Sequence, residues 1–211
     1  MGKLKEGILG GFSGKVGNVV GSSCRGVEYI KSRPSKMTNP RTKGQTKQRN
    51  KFTVTQSFLC TIKPIIRIGF KDHAIDGRSA FNAAMSYNMS NAIKIYADGV
   101  DLDFPNILVS RGSLFPAKDI NAKVEDGEIY FVWNPETEEN AKPDDQAMVL
   151  VYNSTKTSAV YDINAGKRGG SGTKIKFPED WSGDVVETYI VFKNADGSVA
   201  SDSVYTGSYV V

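Results

Sequence analysis

Few residues in this chain of 211 are of a type and spacing that could do chemistry. The one histidine, His73 in Lys71-Asp72-His73-Ala74, has no second histidine and no cysteine at ligand spacing, so neither a zinc site nor a histidine-assisted nucleophile is complete. Gly14-Lys15 has the flavour of a phosphate loop, but that pattern needs Gly where Leu9 stands and Ser or Thr where Val16 stands. Asp98-Gly99-Val100-Asp101-Leu102-Asp103 concentrates three carboxylates. A calcium loop instead alternates its acids ahead of a glycine and closes on a distant Glu. Glu136, Glu138, Glu139, Asp144 and Asp145 surround Pro135 and Pro143 and read as a solvated loop, and Lys167-Arg168-Gly169-Gly170-Ser171-Gly172 reads as a mobile one. These residues yield no catalytic, cofactor-binding or metal-ligating set. The expectation is a protein that is not an enzyme, needs no cofactor and has no evident small-molecule substrate.

The constellation that does carry physical meaning is electrostatic. Residues 1–71 hold 15 Lys or Arg against two acids, and residues 72–211 hold 12 against 21, so a modest net charge of +4 hides a chain polarised from end to end. Lys31, Arg33, Lys36, Arg41, Lys43, Lys47, Arg49 and Lys51 form the densest basic run. They suit an acidic surface, such as the later part of another copy, or the phosphates of a nucleic acid, with Tyr29 or Phe52 lying against a base.

The elements that must position these residues follow from hydrophobic spacing. Lys15–Gly21 and Gly26–Lys31 are short β-branched and aromatic runs separated by Ser22-Ser23-Cys24-Arg25, which predicts a hairpin over about 15–32. Such a hairpin is marginal alone. Val16, Val19, Val20, Val27 and Tyr29 are therefore the expected docking side chains. Pro34 and Pro40 make the next stretch an extended connector. Helical spacing then predicts a helix over about 44–68, broken or restarted at Pro64, and a second over about 78–93 with Phe81, Met85, Asn88 and Ala92 on one stripe and Asp76 or Ser79 as cap. Ile107-Leu108-Val109-Ser110 adds one expected strand.

From Asp119 the texture changes to short alternating runs between turn residues, among them Glu128–Trp133, Ala147–Tyr152, Thr173–Phe177 and Val186–Phe192. This pattern, with Trp133 expected in the core and no paired cysteines, resembles a fibronectin type III or immunoglobulin-like sandwich. The expected fold class is α+β in two domains: a basic α/β module over 1–116, and a β-sandwich over 117–211.

Cys24 and Cys60 fit reduced thiols better than a disulfide framework, and no run is long enough to span a bilayer or to serve as a signal peptide. Cytoplasmic residence without a membrane partner is expected. Gly7–Gly17, then Asn39-Pro40-Arg41-Thr42 with Gln45, Gln48, Arg49 and Phe52, and finally Trp181-Ser182-Gly183-Asp184 together resemble an uncharacterised family common in Bacteroidota, a domain of unknown function. Its Gly-rich N-terminal half is similar to proteins of phages and mobile elements. The resemblance implies a structural role in a virion-type assembly, with self-association or docking on a larger protein assembly. The alternative expectation is a nucleic-acid-binding protein working through 31–51.

Overall fold

The computed structural model describes residues 3, 4, 10–24, 26–36, 38–75, 77–97 and 99–211. Asp76 and Asp98, the one weighed as a helix cap and the other as a carboxylate of an ion loop, lie outside the described residues.

The chain divides into two compact units, Met1–Thr42 and Lys43–Val211. In the first, β1 (Lys3–Leu4), β2 (Phe12–Val16), β3 (Val19–Cys24) and β4 (Val27–Ser32) form an antiparallel sheet in chain order. The first strand expected, 15–21, is in fact broken in the middle. Gly17 takes φ +57° and with Asn18 makes a two-residue turn that pairs Val16 with Val19. Such a tight connection requires positive φ, which glycine adopts without a Cβ penalty. Of the expected separator 22–25, residues 22–24 are instead strand and Arg25 lies outside the described residues; the turn back to β4 includes Gly26, φ +81°.

The second unit opens with α1 (Lys43–Thr61), α2 (Lys63–Gly69) and α3 (Ala80–Asn91). The break falls at Pro64, which sits in the first turn of α2 where its missing N–H costs no helical hydrogen bond. Ser79 caps α3, its Oγ accepting from the Asn82 N–H at 3.0 Å. Met85, Asn88 and Ala92 are buried, and Phe81 is half-buried. A small hairpin of β5 (Ile93–Ile95) and β6 (Val100–Leu102) follows.

Residues 107–110 do not form the expected strand. They run extended beside α3, and Asn88 takes the place of a strand partner: its Nδ2 donates to the Leu108 carbonyl at 2.9 Å and its Oδ1 accepts from the Leu108 N–H at 3.0 Å.

Seven further strands follow: β7 (Asn121–Glu125), β8 (Glu128–Val132), β9 (Gln146–Asn153), β10 (Ser158–Lys167), β11 (Gly172–Lys176), β12 (Val185–Lys193) and β13 (Val204–Val210). They make two antiparallel sheets, β10-β9-β12-β13 and β11-β8-β7. The four-stranded sheet is the middle layer of this unit because its long strands are apolar on both sides. Successive strand residues point to opposite faces. Along β9, Ala147, Val149 and Val151 join Ile129, Phe131 and Trp133 of the three-stranded side, while Met148, Leu150 and Tyr152 meet Phe58, Ile62 and Ile66 of the helices. β12 repeats the division, with Val186, Ile190 and Phe192 on one side and Tyr189 and Val191 on the other. The fold is thus mixed α+β, mostly strand, with three short helices. The boundary expected at 116 falls inside this unit, since the helices cover the outer face of the very sheet assigned to a separate domain.

The loops expected to be solvated and mobile hold a buried ion pair instead. Arg168 is 0% and Asp145 1% exposed, with Nε to Oδ2 at 3.2 Å. The guanidinium lies 4.2 Å from the Phe192 ring centroid and donates from Nη2 to the Phe115 carbonyl at 2.8 Å. Trp133, edge-on to Phe192 at 5.3 Å, donates its Nε1 to the Arg168 carbonyl at 2.7 Å.

Candidate functional site

The N-terminal sheet is built with almost nothing inside it. Of its described residues only Gly21 is buried. Gly21 is buried because the Phe12 ring and carbonyl lie directly over it, and a Cβ there would collide with both. Pairing of Gly14 with Gly21 brings two glycines side by side on β2 and β3, with Ile30 of β4 opposite Gly21. A smooth seat for the Phe12 ring results.

The register sorts the expected docking residues onto two faces. Val16 pairs with Val19, Val19 with Ser32 and Gly21 with Ile30, so Val16, Val19 and Ile30 share a face with Phe12. Lys15 pairs with Val20, Val20 with Lys31, Ser22 with Tyr29 and Cys24 with Val27, so Val20, Val27 and Tyr29 share the other with two lysines. The Lys31 ammonium lies 6.0 Å from the Tyr29 ring centroid.

Val16, Val19, Val27 and Tyr29 are all exposed, and Val20 is half-buried. Ile30, at 66% the most exposed large apolar side chain of the sheet, was absent from the expected set. Only the register identifies it as the neighbour of Val16 and Val19.

The basic run lies on three different supports. Lys31 is the penultimate residue of β4; Arg33, Lys36 and Arg41 line the exposed connector, Arg41 with φ +47°; and Lys43, Lys47, Arg49 and Lys51 stud the first half of α1. All are exposed except the half-buried Lys51. The burial of α1 begins only at Thr55, so its first three turns project from the core with Phe52 48% exposed among Gln45, Gln48 and Arg49. A helix end that is polar but for one half-exposed aromatic gains little from packing within its own fold.

With this geometry in hand, comparison with known sequences places the chain. The Family of unknown function (DUF6266) matches residues 11–207. The chain belongs to this family. The DUF6266 match takes in β2, β3 and β4 of the glycine-rich sheet, the helices and all but the last residues of β13, so both units contribute to one family sequence. No curated protein matches the chain. Among the described residues no helix is long and apolar enough to cross a membrane.

Proposed function

We propose that this DUF6266 protein is a non-enzymatic structural or assembly component whose N-terminal sheet docks on a second copy of the chain. One observation carries the reading: among the described residues, the sheet has a single buried residue and five large apolar side chains exposed on its two faces. A sheet of this kind is marginal in water until something covers it. Full burial of one Val or Ile side chain contributes about 1.5–3 kcal/mol, so covering Val16, Val19 and Ile30 is a substantial driving force. Charge selects the occupant. The strongly basic first third of the chain is complementary to the acidic remainder of another copy.

Within the second unit we propose a fibronectin type III-like arrangement, supported by the strand order β11-β8-β7 facing β10-β9-β12-β13 and by a buried tryptophan at the end of β8. The likeness of the N-terminal half to phage and mobile-element proteins makes a virion-type assembly the setting for such docking. The projecting, basic first half of α1 supports a second reading, nucleic-acid binding. It requires affinity for DNA or RNA that falls steeply with salt and drops when Lys43, Lys47 and Arg49 are changed to Ala.

Light scattering across a concentration series tests the main reading. Full-length protein self-associates, and Val16→Glu or Ile30→Glu weakens association by about 10-fold or more, as expected for a charge introduced into a buried apolar contact. A protein that stays monomeric at high concentration, or that associates equally well with either substitution, contradicts it.

A further inference from the structure

A cleft in the second unit is lined by two arginines that make no ion pair among the described residues. It has a volume of about 310 Å³ and opens between the end of α2, the exposed stripe of α3 and the segment at Arg111. Backbone contacts fix that segment. The Arg111 N–H donates to the Gly69 carbonyl at 2.9 Å, and Gly69 lies so close to Ser110 that a Cβ would collide with it. Ser110 in turn donates to the Ser201 carbonyl at 2.6 Å. From this anchored backbone the Arg111 guanidinium stacks over Tyr87, its Cζ 5.3 Å from the ring centroid. Stacking on an aromatic face holds the planar fork while leaving its N–H groups free to donate.

Arg78 and His73 line the same cleft, together with Ser86 and Ser90 at helical spacing on α3, and Phe70 and Ile75 supply an apolar wall. Among the described residues no carboxylate lines it, and neither arginine has an ion-pair partner. Two arginines on the wall of one small cleft give it a positive potential, and an oxyanion held there would gain charge-assisted hydrogen bonds from them. The volume is that of a small ligand site.

We propose that this cleft binds a small organic oxyanion, a carboxylate or a phosphate monoester, gripped by Arg78 and Arg111 with its body against Phe70 and Ile75. The site is independent of the N-terminal sheet. Its members are scattered from 70 to 111 in sequence, which is why no motif announces it.

The test is a ¹⁵N–¹H titration of the full-length protein with phenyl phosphate and with benzoate at constant ionic strength, with phenol as the neutral control. At least one of the two anions is expected to give saturable shifts at His73, Ser86, Ser90 and Arg111, in the millimolar range or tighter, while phenol gives none. Binding to phenyl phosphate alone identifies a phosphate site, and binding to benzoate alone a carboxylate site. Arg78→Gln and Arg111→Gln are each expected to weaken binding by about 10-fold, the effect of removing one charge-assisted contact. Both arginines are exposed, so the thermal midpoints of the variants serve as a check that folding is intact. The proposal is overturned if neither anion gives saturable shifts, if the shifts fall only on residues 31–51, or if both variants bind as the parent does.

Discussion

Replacing Asp145 by Ala strands a positive charge in the core, and the cost follows from what remains around it. Arg168 is fully buried, with Nε on Asp145 Oδ2, Nη2 on the Phe115 carbonyl, and an Nη1 that has no partner among the described residues. Burial already draws the guanidinium below its ordinary pKa, with Asp145 opposing that effect. Removing the carboxylate leaves one carbonyl and the face of Phe192 to hold the charge, and also deprives the Lys142 N–H of its acceptor at 2.8 Å. Breaking a buried pair from one side costs about 3–5 kcal/mol, a large part of a domain's total stability. Arg168→Met should cost a similar amount by leaving Asp145 buried with only that N–H. The double substitution Asp145→Ala with Arg168→Met removes both charges and should lie closer to the parent than either single change, giving a coupling of about 3 kcal/mol. Urea denaturation followed by tryptophan fluorescence reads the cycle, since Trp133 is hydrogen-bonded to Arg168 itself. Single changes that cost under about 1 kcal/mol, or that simply add, would refute the reasoning.

Asn88→Ala should destabilise by about 1–3 kcal/mol, because it leaves the part-buried N–H and C=O of Leu108 unpaired; thermal denaturation checks it, and a loss no larger than that of an exposed Asn→Ala would contradict it. Burial raises the Tyr189 pKa well above the ordinary phenol value, and burial together with Glu187 raises that of Tyr205. Groups with raised folded pKa stabilise fully below their unfolded pKa, so stability should hold up to about pH 10 and then fall by about 1.4 kcal/mol per pH unit for each tyrosine, with Tyr205→Phe flattening the fall measured by denaturation at several pH values. Trypsin should cut in the exposed connector at Arg33, Lys36 or Arg41 and leave 43–211 as one resistant fragment. A stable fragment beginning between 110 and 122 would instead make 43–211 two folding units.

Local signals were legible in the sequence, and the associations between distant segments were not. Ser79 as a helix cap, Pro64 as a break, the Met85-Asn88-Ala92 stripe and Trp133 in the core all follow from spacing within a few residues. The change of texture at Asp119 is equally visible, but it marks a passage from helices to strands within one compact unit. The signal against a boundary there lay in β9 and β12, whose unbroken apolar runs require cover on both faces and so call for a third layer. Arg168 and Asp145 sit among Gly, Pro and charged residues that locally read as loop, and only the fold brings them 3.2 Å apart in the core. In the N-terminal sheet the spacing points to Val16, Val19, Val20, Val27 and Tyr29 but not to Ile30 or to the two faces, because a two-residue turn at Gly17-Asn18 sets the register. The Arg78–Arg111 cleft joins an α2 end, a helix stripe and an extended segment, with no contiguous trace.

Amide hydrogen exchange of Val27–Ser32 in the full-length protein, measured across a concentration series, tests the docking claim most directly. The six residues of β4 are exposed, with β3 their one partner among the described strands. Self-docking predicts that their protection rises with protein concentration and that Ile30→Glu abolishes the rise while leaving protection in β9 and β12 unchanged. Protection of β4 that is the same at every concentration, in a protein of monomeric mass, would contradict it.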